Sequence, residues 1–217
     1  MLQWLVRIAA PAALALAAVA GTARAQEITP PDTLVKNVTL EVVDLLLKDK
    51  ELRGDRAKLI ALIEAKVLPH FNFAAMASSA VGKNWEKANA EQKAKITEEF
   101  RTLLVRTYSS AIAAYRDQKF DFRPLRAKPA DIEVTVNVRI LEQGGGRQPI
   151  TLDYDMEKRP GGWKVWDVRI NGISLVANYR TEFDNQVRQS GIEGLIQALQ
   201  AKNKTLEAKP VAGVDKK

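Results

Sequence analysis

The chain has no cysteine. That excludes disulfide staples, thiol chemistry and cysteine-ligated metals, and leaves a packed core to stabilise a chain of 217 residues. There is one histidine, His70, set between Pro69 and Phe71. A lone imidazole without acids at ligand spacing is a poor metal or triad candidate, and it points to a structural or capping role. No G-x-S-x-G, phosphate-cradling glycine loop or H-E-x-x-H is present. The 33 bases and 26 acids are mixed along the chain. No stripe of Lys and Arg is interleaved with exposed aromatics, so the mild basicity is not a nucleic-acid footprint.

What is present begins at the N-terminus. Arg7 is followed by an apolar run from Ile8 to Ala20 and then by Ala23-Arg24-Ala25. A basic residue, a short apolar stretch and an A-x-A site predict a cleavable secretory signal peptide over residues 1–25. The run is shorter than the roughly 20 residues needed to cross a bilayer. No cysteine follows Ala25, so no lipid anchor is expected there, and no later segment is apolar enough to span a membrane. Residues 26–202 are expected to form the working domain, and residues 203–217 a disordered Lys-rich tail.

Periodicity divides the domain. Leu34, Val35, Val38, Val42, Leu45 and Leu46 fall at helical spacing, as do Leu59, Leu62, Ile63 and Val67 after Gly54-Asp55. Asn72 is placed to cap a short helix. Asn89-Ala-Glu-Gln92 reads as a capping box opening the longest helix, about residues 90 to 118. The period then drops to two: Phe120 and Phe122; Ile132 through Ile140; and Ile150, Leu152, Tyr154 and Met156. Gly144-Gly145-Gly146 and Pro160-Gly161-Gly162 read as turns. In the last strand, Trp163 to Asn171, the apolar phase slips from Trp163 and Val165 to Trp166, Val168 and Ile170, which predicts a bulge. Helical spacing returns with Leu175, Tyr179, Phe183 and Val187, and Ser190-Gly-Ile-Glu193 reads as a second capping box. The order predicts an α+β fold: a curved, mainly antiparallel sheet of about four to five strands with N-terminal and C-terminal helices packed on it.

Asp153 and Asp155 share one strand face, and Asp167 is a candidate neighbour. Paired carboxylates can do acid–base work. By alternation, however, they lie on the face expected to meet water, opposite Leu152, Tyr154 and Met156, and a solvated sheet face is the plainer reading. Tyr108, Tyr115, Tyr154, Tyr179 and Trp166 are amphipathic residues suited to the rim of an apolar pocket. Periodicity alone does not separate a packed core from a lined cavity.

Two long segments carry a resemblance. One is His70-Phe-Asn-Phe-Ala-Ala-Met76, continuing through Gly82-Lys-Asn-Trp85 and Ala90-Glu-Gln-Lys93 into Glu99-Phe-Arg-Thr-Leu-Leu-Val-Arg-Thr-Tyr108. The other is Trp163-Lys-Val-Trp-Asp-Val168, Asn171-Gly-Ile-Ser-Leu-Val-Ala-Asn-Tyr-Arg180 and Gly191-Ile-Glu-Gly-Leu-Ile196. Together they resemble the MlaC family of toluene-tolerance or ABC-transporter auxiliary proteins, from about Pro31 to Lys202. Trp166 stands where a Tyr is more usual, and Arg169-Ile-Asn171 where family members often carry an apolar-acidic run.

The resemblance implies a periplasmic phospholipid carrier. It would move lipid between an MlaA-like outer-membrane lipoprotein and an MlaD-like MCE protein of an inner-membrane ABC complex, and so keep the outer membrane asymmetric. It implies no cofactor, metal or enzymatic activity, a monomer, and a fold with acyl tails in an apolar cavity between sheet and helices. Combined with alternation, it places Val134, Val136, Val138, Leu152, Tyr154, Val168 and Ile170 of the strands against the tails. From the helices it adds Phe73, Met76, Leu104, Tyr108, Ile112, Leu175 and Tyr179. The competing readings are a non-carrying adaptor of a transporter, a binder of small hydrophobic molecules, and, least favoured, a two-carboxylate hydrolase.

Overall fold

The computed structural model describes residues 28–49, 51–128, 130–141 and 148–208. The expected signal peptide, the triple-glycine turn and residues 209–217 lie outside them.

Helix α1 spans Pro31–Lys48, with proline in its first turn, where no hydrogen-bonding N–H is missed. A single turn, α2 (Glu51–Gly54), precedes α3 (Arg56–Lys66). The Asp55 carboxylate caps α3 by accepting from the N–H groups of Ala57 and Lys58. The helix stops before Pro69, and a 3-10 turn carries the chain through Leu68–His70. Asn72 then caps α4 (Phe73–Val81), accepting from the N–H of Ala75. Helix α5 (Ala90–Ala113) opens on the expected capping box: Asn89 Oδ1 accepts from the Gln92 N–H at 2.9 Å, and Gln92 Oε1 accepts from the Asn89 N–H at 3.0 Å.

Helix α5 ends at Ala113 rather than near residue 118. The Arg116 side chain donates to the carbonyls of Ala113 and Tyr115, and the Tyr115 hydroxyl donates to the Gln118 carbonyl. The first of these satisfies an orphan carbonyl of the last turn, and the others hold the turn that follows.

Five strands follow in sequence order: β1 (Lys119–Phe122), β2 (Glu133–Leu141), β3 (Ile150–Arg159), β4 (Gly162–Ile170) and β5 (Ile173–Ser174), each antiparallel to the next. The fold is the expected α+β layout, with one strand more than the alternation revealed, because β5 is too short to carry a period. The β3–β4 register slips where Asp155 faces Asp167 but Met156 faces Val165, which leaves Trp166 as the extra residue. The predicted bulge is therefore present. Trp166, however, is the unpaired residue and is not a member of the apolar clusters, so the switch to the even phase begins in effect at Val168. The β4–β5 turn uses Asn171 at φ 50° and Gly172 at φ 81°, a left-handed pair that tightens the hairpin.

Helix α6 (Leu175–Glu207) is interrupted where two helices were expected to meet: Ser190 and Gly191 have non-helical angles, with Gly191 at φ 69°. The second capping box does not form. The Ser190 hydroxyl turns back to the Gln186 carbonyl and accepts from the Gln186 amide. The helix also runs past Lys202. Asn203 is buried, donating to the Glu99 carbonyl and carboxylate, and its own carbonyl accepts from Arg106. These bonds hold the end of α6 against α5. Among the described residues no helix is long and apolar enough to cross a membrane.

Candidate functional site

The apolar side chains gather into three clusters. The helical cluster packs α4, α5 and α6 around Phe100, whose ring centroid lies 5.2 Å from Tyr179 and 5.4 Å from Phe183, both edge-on. A second cluster lies on one face of the sheet. A third joins α1, α3 and the end of α5. Seventeen members of the helical cluster are buried and five partly buried. The sheet cluster reverses the proportion, with seven buried and ten partly buried. A packed core seals its members against water, so the sheet face is the less completely covered of the two.

The position of these residues sharpens the point. The third cluster also has more half-buried members than buried ones, as expected at the margin of a fold. In the sheet cluster they sit at the centre. Strand β3 is the middle of five, and Tyr154 on it is flanked by Val136 on β2 and Val168 on β4, while Leu152 is flanked by Val138 and Ile170. With strands on both sides, the residual exposure of Leu152 and Tyr154 arises from above the sheet and not from its edge. Tyr154 is nonetheless deep: burial pushes its pKa up to about 12. Leu34 and Val35 of α1, Phe71, Leu175, Phe120, Phe122 and Leu125 border the same cluster.

The fourteen residues expected against the tails do not all meet here. Val134, Val136, Val138, Leu152, Tyr154, Val168, Ile170 and Leu175 belong to the sheet cluster. Phe73, Met76, Leu104, Tyr108 and Tyr179 belong to the helical cluster, and Ile112 to the third. Met76 is 1% exposed, so it has almost no free surface to offer a ligand. Tyr179 is buried, and burial raises its pKa and that of Tyr108. Phe73 stacks on Phe71 at 5.7 Å, and Phe71 touches both clusters. The residues missed from sequence are Phe120, Phe122, Phe71 and Leu34. The first two alternate visibly, and Tyr115 stacks on Phe120 at 5.8 Å. Phe71 sits in a turn, where periodicity carries no facing information.

The carboxylates are engaged in bonds that hold the fold together. Asp155 and Asp167 are buried, contrary to the expected water-facing position. Asp155 accepts from the Thr135 hydroxyl at 2.6 Å and pairs with Arg169. Asp167 accepts from the N–H groups of Val168 and Val176 and from the Ser174 hydroxyl. It thereby anchors the positive N-terminus of α6 to β4. His70 is half-buried in its turn. Burial first, and then nearby Lys164, hold its pKa below the usual value, so the imidazole is neutral at pH 7. Among the described residues no cluster of three or more His, Cys, Asp or Glu could hold a metal. The grooves lined by charged side chains, one of about 470 Å³ bordered by Arg123, Arg126, Arg139 and Asp153 and one of about 340 Å³ near Asp131 and Glu133, are open and polar. Such walls cannot replace a hydrocarbon surrounding.

Comparison with known proteins supplies the context. Residues 36–201 match the family model described as MlaC protein. The intermembrane phospholipid transport system binding protein MlaC of Haemophilus influenzae is 24% identical over 159 residues, covering 72% of this chain and 74% of that protein. The toluene tolerance protein ttg2D of Pseudomonas putida is 28% identical over 105 residues, covering 48% of this chain and 47% of that protein. The structure of a phospholipid-binding protein from Ralstonia solanacearum, in complex with a phospholipid, superposes with a TM-score of 0.76 at 33% identity, covering 82% of this chain and 99% of that one.

Proposed function

The chain belongs to the MlaC family, and on that premise we propose that it is a phospholipid carrier whose acyl-chain site is the inner face of the sheet. The feature that supports this reading is the incompletely covered apolar face at the centre of the sheet, around Leu152 and Tyr154. The likeness to the phospholipid-bound Ralstonia solanacearum structure supports it.

The physics of the task fits the site. Burying one CH₂ is worth about 0.8 kcal/mol. A diacyl lipid with roughly thirty tail methylenes therefore faces on the order of 20 kcal/mol against free passage through water. A carrier lowers that barrier only if apolar walls replace the bilayer. It must also give the tails up at its destination, which favours many weak contacts over a few strong hydrogen bonds. An inner face of Val, Leu, Ile and Phe meets both demands. The residues proposed to touch the tails are Val134, Leu152, Tyr154, Ile170 and Leu175, with Phe120 and Phe122 added from β1. Val136, Val138 and Val168 flank them on the same face.

In this reading the protein works in the periplasm after losing its first 25 residues. It exchanges lipid with an MlaA-like outer-membrane lipoprotein and an MlaD-like MCE protein of an inner-membrane ABC complex, and its role is to maintain outer-membrane lipid asymmetry. It performs no covalent chemistry. The test is native mass spectrometry with lipid extraction of the purified protein. The expected result is a bound species heavier by the mass of one or more phospholipids. A lipid-free protein that takes up nothing from phospholipid vesicles contradicts the reading and leaves the non-carrying adaptor in its place.

A further inference from the structure

One polar group stands on the apolar face. At Ile150 to Met156 of β3, the inward positions are Ile150, Leu152, Tyr154 and Met156, and those opposite them on β2 and β4 are Val or Ile with Met156 facing Val134 and Val165. The Tyr154 hydroxyl is the polar atom in this field. It has no hydrogen-bond partner among the described residues. Nor is it sealed in, because the sole buried side-chain oxygen or nitrogen without a partner among those residues is Asn203 Oδ1. No side chain among the described residues satisfies this hydroxyl, so its hydrogen bond is left to water or to whatever ligand covers the face.

We propose that the Tyr154 hydroxyl donates a hydrogen bond to an ester carbonyl of the bound diacyl lipid, and so sets how deep the glycerol end sits over the sheet. The inference rests on the carrier reading above. The acceptor is chosen by elimination. A phosphate oxyanion brought to this position would be desolvated, and no Lys or Arg occupies the inward positions around Tyr154 to pair with it. An ester carbonyl is a neutral acceptor that already sits at the boundary between tails and head group. Tyr154 is thus a positioning contact that prefers ester-linked chains to ether-linked ones.

The experiment offers the protein vesicles holding equal amounts of a diester phosphatidylglycerol and its diether analogue with matched chain lengths. Bound species are counted by native mass spectrometry. The expected wild-type result is a diester preference of roughly three- to tenfold, the worth of one hydrogen bond. Tyr154→Phe binds the two lipids equally, whatever its total occupancy. A wild-type ratio near one overturns the inference whether or not the variant folds, and it is also the result expected if water fills the position. A Tyr154→Phe ratio equal to the wild-type preference overturns it as well. If the wild type binds neither lipid, the carrier reading itself fails.

Discussion

The α4–α5–α6 cluster and the inner face of the sheet use similar amino acids in different ways. In the first, Phe100, Leu103, Ile96, Leu195 and Ile196 are all but fully buried, and aromatic rings close on one another edge-on. In the second, Val136, Val138 and Met156 are sealed, while Leu152, Tyr154, Val134 and Ile170 beside them on the same face keep exposed surface. Alternation and helical spacing assign a side chain to a face. They do not say whether protein or a ligand covers that face. The two regions teach that residual exposure at the centre of an element, more than apolar composition, separates a site from a core.

That contrast can be broken by truncation. Leu103 is 0% exposed, so Leu103→Ala leaves a cavity in a packed region and should cost about 2–5 kcal/mol in urea unfolding. Leu152→Ala in lipid-stripped protein removes atoms that are already partly exposed, and should cost about 1 kcal/mol. Equal costs would make the sheet cluster an ordinary core. A charge sharpens the comparison further. Leu152→Glu should lower phospholipid occupancy by about tenfold or more, because a carboxylate must be desolvated when tails arrive. Leu47→Glu, at a side chain on α1 that is 50% exposed, should leave occupancy unchanged. An equal effect, or none, at both positions contradicts the assignment of the inner face. Leu152→Glu is a cleaner probe than a charge at Val136, which is 2% exposed and would report on folding.

Much of the fold was legible where local chemistry acts alone. The Asn89–Gln92 capping box, the Asp55 and Asn72 caps and the switch from helical to alternating spacing all depend on neighbours in sequence. The bulge in β4 was visible because an inserted residue shifts the phase of everything after it. What failed depended on which of several partners a side chain takes. Ser190 and Glu193 have the spacing of a capping box, yet the hydroxyl finds Gln186 instead. Asp155 and Asp167 alternate like water-facing residues, yet Thr135, Arg169 and the start of α6 cover them.

Period two placed Val134 through Ile170 together on the apolar face of the sheet, where the structure has them. On the helices, apolar spacing could not distinguish the turn of α4 that carries Met76 into a packed core from a wall of the site. Phe120 and Phe122 were recognised as a strand but left out of the site, since four residues of β1 carry too little pattern to show which way they face.

The most direct measurement is photocrosslinking with a phospholipid carrying a diazirine in the middle of one acyl chain, followed by mapping of the labelled peptides. The account predicts labels on the inner face of the sheet, at Leu152 and Ile170 and on the Phe120–Phe122 strand. Labels confined to the α4–α5–α6 core around Met76 and Phe100, or to the polar groove at Arg126, would contradict it.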